Sequence, residues 1–175
     1  MKLRLKYIIM VLLFCISLLG CTQADKINEK QIGKQLENVL GTPDKIIIYS
    51  NGGSKELDKN STGYKKVLEL TAKRFHDKLS TALDIINDST MEDIRKDGLG
   101  MEFVYSNEHE LSIKDDRFQL FKYHKLYFQL TSQKSGNSQE SMIHTLQYGD
   151  KDHYKDHSLA SLKYSEELVK LVEEL

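Results

Sequence analysis

Large apolar side chains stand at every second position in parts of the second half of the chain, which is the period of a strand with one buried face. Met101, Phe103 and Tyr105 alternate in this way with the residues between them. Residues 125–132 and 141–149 repeat the alternation. Because a sheet is the structure that buries every second residue, this pattern constrains the fold more than any other feature of the chain.

Two more segments complete the predicted sheet. Residues 45–50 form a compact β-branched and aromatic run that is typical of a buried strand. The polar residues 51–63 predict a loop after it. Leu111 and Ile113 continue the alternation beyond Ser106-Asn107-Glu108, where we expect a hairpin turn. The sequence therefore predicts a mainly antiparallel sheet of about five strands.

A helical period lies between the first strand and the others. From Tyr64 onward, apolar residues recur every three or four positions. This spacing predicts one amphipathic helix that begins near Ser61 or Thr62 and reaches about Leu83. A short helical turn is predicted over 90–96, since a glycine follows it closely.

Helical spacing also occurs at both ends of the folded part. A short amphipathic helix is predicted over 29–40, where Gly41 and Pro43 supply stop signals. Another is predicted between Leu162 and Leu175. Because the strands are grouped together, we expect an α+β fold in which the helices pack on one face of the sheet.

The first twenty residues have the organisation of an export signal. Lys2, Arg4 and Lys6 precede an apolar segment from Tyr7 to Leu19. A transmembrane helix needs about twenty apolar residues, and this segment is shorter. Its length is that of the apolar part of a signal peptide.

The end of this segment, Leu18-Leu19-Gly20-Cys21, resembles the lipobox of bacterial lipoproteins. In that family the cysteine thiol receives a diacylglyceryl group, and the signal is cleaved just before it. The resemblance implies a cleaved signal at 1–20, a lipid on Cys21 and a place at the extracytoplasmic face of the bacterial cell membrane. Two acyl chains anchor a protein stably, whereas one chain gives marginal binding. The alternative is an uncleaved membrane anchor with an incidental cysteine.

The remaining chain divides into a flexible, lipid-anchored tether at 21–28 and a single α+β domain at 29–175. Cys15 would leave with the signal and Cys21 would become a thioether, so the mature domain is expected to have no free thiol and no disulfide. That excludes cysteine nucleophiles and thiolate metal sites. Loss of the three cationic residues of the signal lowers the formal net charge from −1 to −4. With no basic stripe, nucleic acid is not an expected partner.

The densest group of possible metal ligands is DKDHYKDH at 150–157. His153 and His157 stand four apart, which would place both imidazoles on one face of a helix, and three aspartates lie among them. Because two histidines alone do not complete a site, we interpret the segment as a solvated polar loop. The sequence therefore predicts no metal and no cofactor.

Other residues that could carry a function have ordinary structural interpretations. The glycines of SNGGS at 50–54 indicate a turn rather than an anion-binding loop. His144 is predicted to share a strand face with Met142 and Leu146. A set of aromatic residues could form a binding face, although core and cross-strand packing is the more common role; the set is Tyr105, Tyr123, Tyr127, Phe128 and Tyr148.

Two functional hypotheses follow. The preferred one is a membrane-anchored, non-catalytic binding or interaction module of the cell envelope, with an envelope protein as a possible partner. The alternative is a small surface hydrolase or metal-dependent enzyme that uses His153 and His157. The two differ in whether these histidines converge with a third ligand in a cleft.

The first prediction concerns the lipid anchor. Replacing the lipidated residue, Cys21→Ala, should leave the precursor uncleaved and should abolish the incorporation of labelled fatty acid. The physical reason is that alanine has no thiol to accept the diacylglyceryl group. Labelling in growing cells followed by gel electrophoresis measures both effects; equal labelling of the variant and the parent would reject the lipobox interpretation.

Overall fold

The computed structural model describes residues 40–75, 80–82, 88–111, 121–133 and 142–175. The predicted signal peptide, the lipidated Cys21, the tether and nearly all of the helix predicted over 29–40 lie outside the described residues. In the described part, no helix is long and apolar enough to cross a membrane.

One antiparallel sheet organises the described residues. Its strands follow the order β2-β1-β4-β5-β6-β7-β3, and every neighbouring pair is antiparallel. The strands are β1 (Lys45–Ser50), β2 (Gly53–Leu57), β3 (Ser80–Ala82), β4 (Leu99–Glu110), β5 (Lys122–Thr131), β6 (Thr145–Gly149) and β7 (Ser158–Ala160). The predicted antiparallel sheet is confirmed, and the structure extends it from about five strands to seven.

In the described part of the chain, three helices accompany the sheet: α1 (Thr62–Ala72), α2 (Asp88–Arg95) and α3 (Glu166–Glu174). The predicted α+β class is therefore confirmed. As expected from its hydroxyl, Ser61 caps α1 by accepting a hydrogen bond from the Tyr64 amide at 3.2 Å.

The main core lies between the sheet and two of these helices. Val67 of α1 and Leu168 of α3 belong to the same buried cluster as Phe103 and Phe128, which are both 0 % exposed. The two phenylalanine rings have centroids 5.2 Å apart across β4 and β5. The alternation therefore placed these side chains on the correct face. Helices α1 and α3 cover that face as predicted, whereas α2 packs in a second cluster on the other face.

The first hairpin differs from its prediction. Asn51 and Gly52 have φ values of 49° and 81°, and they join β1 to β2 in a two-residue turn. The turn predicted within SNGGS is confirmed, but the loop predicted through residues 53–57 is wrong. An Asn-Gly turn directs the chain back along β1, so these polar residues pair as an edge strand.

The hairpin turn predicted at residues 106–108 is also wrong. β4 continues to Glu110, and its register with β5 shifts between the Val104↔Lys125 pair and His109. The polar tripeptide therefore sits in a bulge, because a bulge absorbs extra residues without reversing the chain. The β4–β5 connection lies beyond Leu111, whose amide donates to the Phe121 carbonyl at 3.0 Å.

Helix α1 ends well before the predicted Leu83. After Ala72, the amides of Arg74 and Phe75 bond to the third preceding carbonyl, which tightens the last turn. Residues 80–82 then form β3. Phe75 is still buried in the main core. Its spacing from the apolar residues of α1 is therefore the same as in a longer helix, although the helix has already ended.

The second prediction concerns the main core. Phe103→Ala or Phe128→Ala should lower the free energy of unfolding by about 3–5 kcal/mol, because each leaves a cavity under α1 and α3. Denaturant unfolding of the chain from residue 28 onward measures the change. Tyr164→Ala is the matched control, since its side chain is 50 % exposed and should change stability by less than about 0.5 kcal/mol. Unchanged midpoints in both phenylalanine variants would contradict the assigned core.

Candidate functional site

The second face of the sheet is lined by buried polar side chains. Glu102, Tyr127, Gln129 and Gln147 are each at most 5 % exposed, and they alternate along their strands with residues of the main core. Met91 of α2 packs against Tyr127 on this side. Unpaired polar atoms are costly to bury, and most of these groups are hydrogen-bonded, whereas Gln147 Oε1 has no partner among the described residues.

Five residues on this face form what we call the Glu102 cluster: Glu102, Arg95, Tyr49, Tyr154 and Lys125. They come from β4, the end of α2, β1, the segment before β7, and β5. These elements are distant along the chain, and the sheet order places them side by side. The cluster brings one carboxylate, two basic groups and two tyrosine rings into contact.

Both carboxylate oxygens of Glu102 accept hydrogen bonds. The Tyr49 hydroxyl donates to Oε2 at 2.7 Å, and Arg95 Nη2 donates to Oε1 at 2.6 Å. The Tyr154 hydroxyl also donates to Oε1. Glu102 is only 5 % exposed, and these three donors replace the water that its charge would otherwise bind.

Cations lie over the tyrosine rings around this carboxylate. The Arg95 guanidinium carbon is 5.2 Å from the ring centroid of Tyr49 and 5.3 Å from that of Tyr154. Lys125 Nζ is 4.6 Å from the Tyr154 centroid. Rings at this distance attract cations through their quadrupole. Each charged group of the cluster therefore has an aromatic neighbour in addition to a counter-charge or a hydrogen bond.

Burial sets the protonation of the cluster's hydroxyl groups. It raises the pKa of Tyr49, and the nearby Glu102 carboxylate raises it further. The same two causes raise the pKa of Tyr154 well above its ordinary value. Both hydroxyls therefore remain neutral hydrogen-bond donors at physiological pH. Burial lowers the pKa of Lys125, which lies at the edge of the cluster.

Asp88, the first residue of α2, joins the cluster to the loop at 150–157. One carboxylate oxygen accepts the Tyr154 amide at 3.0 Å, and the other accepts a hydrogen bond from His153 Nδ1 at 2.7 Å. The amide of Tyr154 and the imidazole of His153 lower the pKa of Asp88. The Asp88 carboxylate in turn raises the pKa of His153. Asp88 thus connects α2 to the segment that delivers Tyr154.

The structure separates the two histidines of DKDHYKDH. His153 bonds to Asp88, whereas His157 Nε2 lies 2.8 Å from the hydroxyl of Tyr148, a residue of the main core. The segment forms no helix, so the four-residue spacing does not place both rings on one helical face. Within the ranges that the structure describes, no group of three or more His, Cys, Asp or Glu residues could hold a metal ion.

His144 does not lie where its spacing predicted. β6 begins only at Thr145, so His144 sits in the preceding turn with an exposed side chain. Its Nδ1 is 2.9 Å from the Leu162 carbonyl oxygen. The prediction of a strand-face histidine is wrong, because the turn before β6 removes this residue from the alternation.

All five aromatic residues considered for a binding face are buried, which confirms their role in packing. Four of them belong to the main core. Tyr127 lies on the polar face, where its hydroxyl donates to Gln129 Oε1 at 2.7 Å. The half-buried tyrosine beside the charged groups is Tyr49, which the sequence did not single out. The sequence feature that could have indicated this site is Glu102, an acidic residue between apolar residues of a strand.

Comparisons with models of known families, with curated proteins and with solved structures gave no match. The chemistry of this chain's own residues therefore carries the functional conclusion. In the Glu102 cluster, the carboxylate oxygens are occupied by Tyr49, Tyr154 and Arg95. Such a network fixes side chains in place and is suited to presenting a rigid surface.

The third prediction tests the cluster's contribution to stability. Glu102→Gln should lower the free energy of unfolding by about 2–3 kcal/mol, because Arg95 loses its buried counter-charge. This value is below that for a fully buried pair, since the Arg95 side chain is 25 % exposed. Denaturant unfolding measures it.

The matched control for that experiment is Glu108→Gln on the same strand. The Glu108 side chain is 49 % exposed, and its ion pair with Lys122 is exposed as well. We expect a much smaller change than for Glu102→Gln, because solvent screens this exposed pair. Equal effects of the two substitutions would show that the Glu102 network does not matter for stability.

The fourth prediction concerns the pairing of Asp88 with His153. Because the carboxylate raises the pKa of His153, Asp88→Asn should lower that pKa towards about 6.5, as followed by NMR titration of the imidazole. Asp152→Asn is the control and should cause a smaller decrease.

The same pKa shifts determine how the stability contributed by this pair changes with pH. The interaction of protonated His153 with Asp88 stabilises the folded state fully at pH values below the ordinary histidine pKa. This contribution is lost as the pH rises through the raised pKa of the folded state. Asp88 contributes above its ordinary pKa and loses its contribution as pH falls through the lowered value. The pair is therefore strongest between about pH 4 and 6.5. An unchanged His153 titration in Asp88→Asn would contradict this assignment.

Proposed function

We propose that this chain is a bacterial lipoprotein whose α+β domain acts as a non-catalytic binding module of the cell envelope. The observation that carries the proposal is Leu18-Leu19-Gly20-Cys21, placed directly after a cationic start and an apolar segment. The lipid on Cys21 would hold the domain at the extracytoplasmic face of the cell membrane. Residues 21–28 would act as the tether.

The exposed side of the Glu102 cluster is the surface that we assign to binding. Tyr49 and Lys125 are partly exposed, and the Arg95 side chain is 25 % exposed. Tyrosine and arginine contribute most often to the energetic centres of protein interfaces. The fixed hydrogen bonds to Glu102 reduce the conformational entropy that these side chains would lose on binding.

The charges around this surface favour a protein partner with mixed polarity. Lys125 and Lys155 lie close to Asp88 and Asp150, so both signs of charge border the cluster. Charges at the rim of an interface select the partner and its orientation more than they add affinity. An envelope protein with a complementary mixed surface fits this border.

Among the residues that the structure describes, no specific contact favours the alternative of a hydrolase or metal-dependent enzyme at His153 and His157. That function needs both imidazoles at one reacting centre. Asp88 holds the first ring and Tyr148 contacts the second, in separate packing environments.

The fifth prediction tests the binding surface in intact cells of the source bacterium. Tyr49→Ala should remove the partner that is recovered by crosslinking to the wild-type protein, since it deletes the partly exposed ring. Tyr164→Ala, on another part of the surface, should retain that partner. Melting curves of both variants establish that they are folded.

The lipid anchor is tested in parallel. Cys21→Ala should accumulate as the uncleaved precursor without the lipid, while the domain's melting behaviour stays the same. Recovery of the same crosslinked proteins from Tyr49→Ala and Tyr164→Ala would contradict the assigned surface, and cleavage of Cys21→Ala to the mature length would contradict the anchor.

A further inference from the structure

Lys125 differs from the other half-buried lysines that the structure describes. There are four such lysines, and three of them form ion pairs. These pairs are Lys45–Glu56 at 2.7 Å, Lys66–Glu167 at 3.2 Å and Lys155–Asp150 at 2.8 Å. The fourth is Lys125, and among the described side chains no carboxylate forms an ion pair with it. A cation that is partly removed from water is normally matched by a negative charge, which this one lacks.

The contacts of Lys125 leave part of its ammonium group free. Its Nζ lies 4.6 Å from the ring centroid of Tyr154. It donates to the Lys151 carbonyl oxygen at 3.4 Å, which is long for a hydrogen bond. An ammonium group has three N–H donors, so the ring and the carbonyl occupy at most two of them.

The carboxylates near Lys125 already have other partners. Those that influence its pKa are Glu102, Asp88 and Asp150. Glu102 is occupied by the three donors described above. Asp88 accepts two hydrogen bonds, and Asp150 accepts the Lys155 ammonium at 2.8 Å together with two backbone amides. The Glu102 cluster itself contains two cations and one carboxylate, so it carries one positive charge in excess.

The sheet beside Lys125 offers an apolar surface. Val104 lies directly opposite Lys125 in the β4–β5 register, and Ile47 of β1 lies opposite Glu102 on the same face. Both apolar side chains are half-buried, so part of each faces solvent. Side chains opposite each other on neighbouring strands are in contact range. A partner that reaches Lys125 therefore also covers apolar surface, which strengthens an ion pair by excluding water from it.

We propose that Lys125 binds an aspartate or glutamate side chain of the envelope protein that docks on this surface. The acidic group supplies the counter-charge that the domain's own carboxylates do not provide. An ion pair at this position selects the partner and fixes its orientation on the surface. This assignment rests on the binding function proposed above and adds to it the charge that the partner must present at one position.

Zero-length crosslinking of intact cells tests the contact. A water-soluble carbodiimide activates a carboxylate, and an amine in contact with it then displaces the urea and forms an amide. We expect an amide between Lys125 Nζ and an aspartate or glutamate of a second protein, located by mass spectrometry of the crosslinked peptides. Coupling of the partner at other lysines and not at Lys125 would overturn the proposal.

Variants of Lys125 separate its charge from its reactivity. Lys125→Arg keeps the positive charge without the amine, so it should lose the carbodiimide product and still yield the partner with a photoreactive crosslinker. Lys125→Gln removes the charge and should reduce that yield about tenfold. Lys151→Gln, the same charge change at an exposed neighbour, should retain it. Melting curves establish that each variant is folded.

Comparison with Tyr49→Ala distinguishes this contact from the binding function as a whole. Loss of the partner in Tyr49→Ala with an undiminished yield in Lys125→Gln would reject the contact at Lys125 alone. Undiminished yields in both variants would reject the binding surface and the contact together. Recovery of no partner with the wild-type chain would reject the binding function itself.

Discussion

The pairing of β4 with β5 is the interaction on which the other parts of the structure depend. On one side of this ladder, Phe103 and Phe128 lie together under α1 and α3. On the other side, the paired residues Glu102 and Tyr127 belong to the polar face. A shift of one residue in the register would exchange the two faces, so the apolar core and the Glu102 cluster are specified by the same backbone hydrogen bonds.

This shared origin explains how a charged cluster can be held on a buried face of the sheet. Burial of Glu102 alone would be unfavourable, and its donors arrive from elements that the main core already positions. Tyr49 is carried by β1, which pairs directly with β4, and Arg95 ends the helix that leads into β4. The loop carrying Tyr154 is then attached through Asp88. The residues of the polar face are therefore positioned by the same strands and helices that form the main core.

The strands and helices that local patterns predicted well were those with a complete, uninterrupted period. β1, β5, the first part of β4 and the cap of α1 belong to this class, as does the short helix before Gly98. The predictions were wrong where a local sequence pattern is compatible with two different structures. The polar residues 106–108 suit a turn or a bulge, and the apolar spacing around Phe75 suits a longer helix or a turn that packs into the core. Nothing local distinguishes these solutions, because the distant pairing partner decides between them.

The sequence by itself determined the α+β class, the phase of the central strands and the lipobox-like segment ending at Cys21, because each depends on residues that are close along the chain. Tertiary structure alone decided that Glu102 would meet Arg95, Tyr49 and Tyr154, and that Lys125 would be half-buried beside the Tyr154 ring. It also separated His153 from His157, which are four residues apart. Burial and hydrogen-bond satisfaction depend on which strands become neighbours, and spacing along the chain does not contain that information.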